Sequence, residues 1–220
     1  MPKIVLIHAV RAAMAPIEVA FGNLWPETKR VNLLDDSLSV DRAAAPELTP
    51  PLSARIATLG YYAEQIGADG VLYTCSAFGT AIDAIAGSLR FPVLKPNEAM
   101  FDAALDRGLR IGMLATFAPA VPSMEVEFRN MASVRGSAAM LETWIVPEAR
   151  DALAANDLAT HDQLIAESAS VLARCDAIML AHFSMATAEA LVRQRVPCAV
   201  FSAPNSAVEK LRRSLEFRTA

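Results

Sequence analysis

Three segments of the chain recur at one spacing, and this repeat limits the folds that the chain can adopt. Residues 3–8 (KIVLIH) resemble residues 110–115 (RIGMLA), and 110 − 3 = 107. Residues 17–21 (IEVAF) and 124–128 (MEVEF) differ by 124 − 17 = 107, and residues 69–75 (DGVLYTC) and 176–182 (DAIMLAH) by 176 − 69 = 107. One offset shared by three segments is typical of an internal duplication. The sequence therefore predicts two similar lobes related by a pseudo-two-fold.

Short apolar runs alternate with longer stretches of helical period, which predicts an α/β fold. Because the runs are almost continuously apolar, we expect parallel sheets covered by helices on both faces. The N-terminal lobe is predicted to contain residues 1–97 and 202–220, and the second lobe residues 98–201. Strands are predicted at residues 3–8, 30–34, 70–74, 92–94, 110–115, 142–146, 176–181 and 197–201.

Two helices and one loop are also indicated by local patterns. A helix is predicted after Thr49-Pro50-Pro51, and another after Thr160-x-x-Gln163, which reads as a capping box. Residues 36–50 hold no clear element and are rich in Asp, Ser and Pro. A segment of this length without an element predicts an active-site loop rather than a simple connector.

Composition excludes several classes of protein. The 220 residues are 54% hydrophobic, enough for a sizeable core, and the formal net charge of −4 leaves no basic stripe for nucleic acid. The apolar runs are strand-length, far short of a membrane span. Three scattered cysteines do not make a disulfide framework and point to a reducing compartment. We therefore expect a cytoplasmic enzyme or binding protein, with no membrane or nucleic-acid partner.

Cys75 and His182 are the candidate catalytic residues because the repeat makes them equivalent. Each follows a predicted strand and precedes a predicted helix, and ligands of parallel α/β sheets bind at the carboxyl ends of strands. A pseudo-two-fold would bring both to one inter-lobe cleft. A helix N-terminus also lowers a thiol pKa, so a reactive Cys75 thiolate is expected near neutral pH.

The other cysteines and histidines have weaker claims. Cys175 and Cys198 lie in or beside apolar strands and are expected to be small core residues. His8 closes the first predicted strand, where it could face the cleft. His161 lies in the first turn of a predicted helix and is expected to be exposed. No metal-ligand spacing and no nucleotide-binding glycine motif occurs, so no metal or nucleotide cofactor is expected.

Three segments resemble motifs of a known family: residues 71–76 (VLYTCS), residues 178–186 (IMLAHFSMA) and residues 111–116 (IGMLAT). The first two resemble the first and second cysteine motifs, and the third resembles the Val-Leu-Ala-Thr segment, of the aspartate/glutamate racemase superfamily. This superfamily includes hydantoin racemases, maleate isomerases and arylmalonate decarboxylases. The resemblance covers essentially the whole chain and implies a cofactor-independent enzyme acting on a small carboxylate substrate, and a homodimer.

The departure from the family is that His182 stands where the second cysteine is usual. A family racemase uses two thiols, whereas here Cys75 would act as thiolate acid/base and His182 as the opposing acid/base. The resemblance also implies that Thr116 helps to bind the substrate carboxylate. Ser76, next to Cys75, and Ser184, placed by its position beside His182, are expected to bind the carboxylate or the enediolate with it.

Several reactions remain open from the sequence. They are racemisation or isomerisation, decarboxylation with one thiol, hydrolysis by a Cys/His pair, and binding of a small molecule without catalysis.

Overall fold

The structure, a computed structural model, describes residues 1–45 and 47–219. The chain forms two compact units, the first made of Met1–Pro96 with the residues from Ala207 onward, and the second of Asn97–Ser206. No α-helix in the described part of the chain combines the length and the apolar character needed to cross a bilayer.

The first unit is a four-stranded parallel sheet with strand order β2-β1-β3-β4. The central strands β1 and β3 are buried almost throughout, which explains their continuous apolar runs. Its elements are β1 (Lys3–His8), α1 (Met14–Leu24), β2 (Lys29–Leu34), α2 (Ser37–Ala44), α3 (Pro50–Gln65), β3 (Gly70–Tyr73), α4 (Gly79–Ala86) and β4 (Val93–Leu94).

The second unit repeats this arrangement in a four-stranded parallel sheet with strand order β6-β5-β7-β8. Its elements are α5 (Glu98–Leu105), β5 (Arg110–Ala115), α6 (Val121–Val134), β6 (Met140–Ile145), α7 (Pro147–Ala154), α8 (Leu158–Ser168), β7 (Ala177–Leu180), α9 (Glu189–Arg193) and β8 (Ala199–Ser202). The last helix, α10 (Ala203–Thr219), begins in this unit and ends in the first.

The two sheets share the register that the sequence repeat predicts. Ile4 pairs with Gly70 in the first sheet, and Ile111 pairs with Ala177 in the second, each residue displaced by 107. The start of the central strand is held in the same way in both units. Asp69 Oδ2 accepts from the N–H of Lys3 at 2.7 Å, and Asp176 Oδ2 accepts from the N–H of Arg110 at 2.8 Å. The predicted α/β class with two similar parallel sheets is confirmed.

All eight predicted strands are present, but the predicted loop at residues 36–50 is wrong. Residues 37–44 form α2, and α3 begins at Pro50; Pro46 lies outside the described residues. Of the eight described residues of α2, Leu38 alone is buried, so the helix leaves no apolar periodicity in the sequence. Hydrogen bonds hold it instead, since Arg55 of α3 donates to Asp35 at 2.6 Å and to Asp41 at 2.5 Å.

The predicted capping box of the second helix is also wrong. The helix α8 begins two residues earlier than the Thr160 signal, and Asp157 is its N-cap. The Asp157 carboxylate accepts from the N–H of Thr160 at 3.0 Å, satisfying one of the free donors of the first turn.

Candidate active site

Cys75 lies where the first sheet turns into a helix. The strand β3 ends at Tyr73, and Cys75 precedes a 3₁₀ turn, Ser76–Phe78, that continues into α4. The thiol is partly buried among the apolar side chains of the first unit. Its position at the carboxyl end of a central parallel strand is the one that the sequence predicted.

The electrostatics of Cys75 differ from the expectation. Burial raises the pKa of the thiol above its ordinary value, while a hydrogen bond from the backbone N–H of Ala77 and the charge of Arg42 act in the opposite direction. The expected low-pKa thiolate is therefore wrong for the resting protein. The short 3₁₀ turn separates Cys75 from α4, and withdrawal of the thiol from water outweighs the two stabilising groups. Cys75 rests as a protonated thiol beside groups that stabilise its anion.

Arg42 is a candidate site residue that the sequence analysis missed. It lies on α2, the helix predicted to be loop, and its Nε donates to the carbonyl of Ala77 at 3.3 Å. Its Nη1 donates to the carbonyl of Ala45 at 2.9 Å. Within residues 1–45 and 47–219 it forms no ion pair with a carboxylate. The cation beside the cysteine turn is thus positioned by backbone carbonyls and keeps its positive charge uncompensated.

His182 occupies the equivalent place in the second unit, two residues beyond the end of β7. Its Nε2 accepts from the backbone N–H of Phe117 at 3.2 Å. Burial lowers the pKa of His182 to about 4, so the ring is neutral at pH 7. A neutral imidazole carries one proton, and because Nε2 is the acceptor, that proton lies on Nδ1. His182 therefore offers an N–H donor.

Thr116 lies next to the residue that holds His182. It follows β5 directly, is buried, and its hydroxyl makes no hydrogen bond to any described residue. Phe117 is fixed on its other side by Arg150, whose guanidinium lies 4.4 Å from the ring centroid. The second unit thus has a free hydroxyl on the residue before the backbone N–H that binds the neutral imidazole.

The remaining predicted residues are placed as follows. Ser76 opens the 3₁₀ turn after Cys75, and Ser184 lies in the 3₁₀ segment after His182; both are half-buried. His161 is fully buried, so its expected exposure is wrong; its Nδ1 lies 2.7 Å from Asp162. Throughout the described ranges, no three His, Cys, Asp or Glu side chains form a group that could hold a metal ion.

The chain is similar to proteins of one known family. A profile of the family described as Asp/Glu/hydantoin racemase matches residues 12–211. The chain belongs to this family. The family resemblance drawn from the cysteine motifs and the repeat is therefore confirmed, while the replacement of the second cysteine by His182 stays a prediction. No curated protein matches the chain.

Solved structures share the racemase-family fold along nearly the whole chain. Allantoin racemase from Klebsiella pneumoniae has a TM-score of 0.72 at 17% identity, covering 99% of this chain and 89% of its own. Unliganded arylmalonate decarboxylase has a TM-score of 0.69 at 13% identity, with 98% and 93% covered. An aspartate racemase homologue from Pyrococcus horikoshii OT3 has a TM-score of 0.70 at 13% identity, with 98% and 100% covered. At these identities the likeness establishes the fold alone.

Replacing His182 by Gln should change how the stability of this family member depends on pH. The unfolded chain binds a proton at His182 near its ordinary pKa of 6.5, but the folded chain does so only at about 4. Stability from the neutral ring is therefore fully present above pH 6.5 and is lost as the pH falls toward 4, by up to roughly 3 kcal/mol. Chemical denaturation between pH 4 and 7 should show that the wild type loses more free energy of unfolding than His182→Gln. Parallel curves for the two proteins would contradict the burial of the ring.

Replacing Arg42 by Gln should make Cys75 less reactive toward iodoacetamide. Loss of the positive charge raises the thiol pKa further, so alkylation at pH 8 should slow by about two- to tenfold. Arg42→Lys keeps the charge and should stay close to wild type. Arg90→Gln is the matched control, because the Arg90 side chain is 88% exposed on the same unit. Peptide mass spectrometry measures the rate; an equal slowing by Arg42→Lys would show that the charge of Arg42 is not the cause.

Proposed function

We propose that this protein is a cofactor-independent enzyme acting at a carbon next to a carboxylate, as a racemase or isomerase or as a decarboxylase. In this proposal Cys75 exchanges a proton with that carbon, and His182 acts on the same substrate as the opposing acid/base group. Ser76, Thr116 and Ser184 bind the carboxylate, or the enediolate formed from it.

The observation that carries the proposal is the matched placement of two proton-bearing groups. Cys75 and His182 each lie two residues beyond a central parallel strand, at positions displaced by 107 residues in one repeated register. Both are withdrawn from water, and each contacts a backbone N–H, from Ala77 and from Phe117 respectively. Thiols and imidazoles are among the side chains that transfer protons in general acid–base catalysis.

In a racemisation, Cys75 first releases its thiol proton to water, and His182 takes up a proton from water. The thiolate of Cys75 then takes the α-proton, so that a C–H bond breaks and an S–H bond forms. The electron pair of the C–H bond passes into the enediolate of the carboxylate. The imidazolium form of His182 returns a proton to the opposite face and inverts the carbon, and the reverse direction exchanges the two roles. Formation of the thiolate is assisted by the Ala77 N–H and the charge of Arg42.

A decarboxylation is favoured by the protonation states of the resting protein. The bond from the carbon to one carboxylate breaks, CO₂ leaves, and the electron pair remains as the enediolate. The protonated thiol of Cys75 then supplies the proton to carbon, and the thiolate recovers a proton from water. Neutral His182, with its proton on Nδ1, stabilises the enediolate by donating a hydrogen bond and changes no protonation state.

Arg42 supplies the positive charge for an anionic substrate in either reaction. Its guanidinium bonds to the carbonyls of Ala77 and Ala45 and pairs with no carboxylate in the described part of the chain. A guanidinium recognises a carboxylate with two parallel N–H donors. Its position beside the Cys75 turn places that recognition next to the proposed reacting group.

The proposal is tested by hydrogen exchange in D₂O. The protein is incubated with aspartate, glutamate and an arylmalonate, the carboxylates named for its structural relatives, and ¹H NMR follows the α-proton and the products. Turnover of at least one compound should show α-deuteration or deuterated product after CO₂ release. Cys75→Ala should lower that rate by about 10²–10⁴-fold. Cys198→Ala, which removes a half-buried thiol of the second unit, should retain it.

Three results would contradict the proposal. Wild-type turnover by Cys75→Ala would remove the thiol from the chemistry. Hydrolysis without exchange would favour a Cys/His hydrolase. Saturable binding without turnover would favour a binding protein.

A further inference from the structure

A network of hydrogen-bonded polar side chains lies in the first unit and ends beside Cys75. Glu18 of α1 accepts from Asn32 Nδ2 at 2.8 Å, and Asn32 Oδ1 lies 2.9 Å from His8 Nε2. His8 Nδ1 in turn lies 2.9 Å from the hydroxyl of Thr74, the residue before Cys75. His8 is fully buried and Thr74 is 6% exposed.

The direction of every hydrogen bond in this network follows from Glu18. A carboxylate only accepts, so the amide nitrogen of Asn32 faces Glu18 and its oxygen faces His8. His8 Nε2 must then carry a proton. Burial lowers the pKa of His8 and keeps the ring neutral, so Nδ1 accepts a hydrogen bond from the hydroxyl of Thr74. The second contact of that hydroxyl, to the carbonyl of Ile7, is longer at 3.3 Å.

The second unit contains the equivalent of the outer hydrogen bond of this network, the one between Asn32 and Glu18. Glu125 is the repeat equivalent of Glu18, since 125 − 18 = 107. Thr143 is the equivalent of Asn32, because the two residues face equivalent positions of the central strands, Met113 and Leu6. The Thr143 hydroxyl donates to Glu125 at 2.8 Å, as the Asn32 amide does to Glu18. A bond between the helix and the edge strand is thus common to both units.

The inner part of the network, formed by His8 and Thr74, occurs only in the unit that carries Cys75. The repeat equivalents of His8 and Thr74 are Ala115 and Ala181, both buried. A buried imidazole needs hydrogen-bond partners, whereas the side chain of alanine needs none. The second unit therefore shows that a sheet of this kind forms without the His8 and Thr74 hydrogen bond. The His8–Thr74 pair is therefore specific to the unit in which Cys75 follows Thr74.

We infer that His8 is a positioning residue for Cys75. By accepting a hydrogen bond from the Thr74 hydroxyl, it fixes the residue that is joined to Cys75 by a peptide bond, and so fixes the direction and the burial of the thiol. Glu18 and Asn32 hold the His8 ring in the orientation and tautomer that this requires. The inference rests on the proposed role of Cys75, but the chemistry of the thiol tests it without any substrate.

The test is the rate of Cys75 alkylation by iodoacetamide in the full chain from pH 6 to 10, read by peptide mass spectrometry. His8→Gln should free Thr74 and expose the thiol. The apparent thiol pKa should fall, and alkylation at pH 7.5 should speed up roughly five- to tenfold, the weight of one buried hydrogen bond. Thr74→Val should have the same effect. The double variant should be alkylated no faster than either single variant, because both changes remove the same hydrogen bond.

Thr143→Val is the matched control, since it removes the equivalent outer bond in the second unit and should leave the alkylation profile unchanged. If His8→Gln does not fold, Thr74→Val alone decides. An unchanged rate and pH profile in the folded variant, whatever its melting temperature, would overturn the inference. Absence of turnover in the D₂O experiment would not change the expected alkylation rates. The positioning role of His8 and the proposed function can therefore be rejected independently.

Discussion

Parallel pairing of β1 with β3, and of β5 with β7, determines where the reactive side chains of this protein lie. In a parallel pair the carboxyl ends of both strands are at one edge, so Thr74 and Cys75 come to the end of β1, where His8 is. By the same pairing His182 comes to the end of β5, where Thr116 and Phe117 follow. The strands are buried on both faces, and that burial supplies the main favourable free energy of each sheet.

The same burial sets the protonation states of the strand ends. Withdrawal from water disfavours a charged form, so it raises the pKa of the Cys75 thiol and lowers the pKa of the His182 and His8 rings. Both proposed reacting groups therefore rest uncharged. Arg42 provides the positive charge at this strand end of the first unit. Its hydrogen bonds go to backbone carbonyls, so its charge remains available to pair with an anion. This positive charge is one reason why the proposed substrate is an anion.

Features that follow from local pattern could be predicted from the sequence, and features that follow from packing could not. Continuous apolar runs and the 107-residue offset predicted the strands, the two similar sheets and the equivalence of Cys75 and His182. The helix α2 was missed because a helix with one buried residue has no apolar period, and Arg42 was missed with it. The direction of the Cys75 pKa shift was predicted wrongly, because the degree of burial depends on the surrounding tertiary structure. The pairing of His8 with Asn32 depends on the register of β2, which one sequence does not reveal.

Burial keeps His182 neutral with its proton on Nδ1, at the position equivalent in the repeat to the protonated Cys75, and both proposed reactions start from this state. A titration of the ring ¹⁵N chemical shifts by NMR from pH 8 to pH 3.5 tests it directly, with His182→Gln used to assign one of the three histidines. We predict an Nδ1–H tautomer throughout the neutral range and a titration midpoint at about 4. A midpoint near the ordinary value of 6.5, or an Nε2–H tautomer, would contradict this state of the ring.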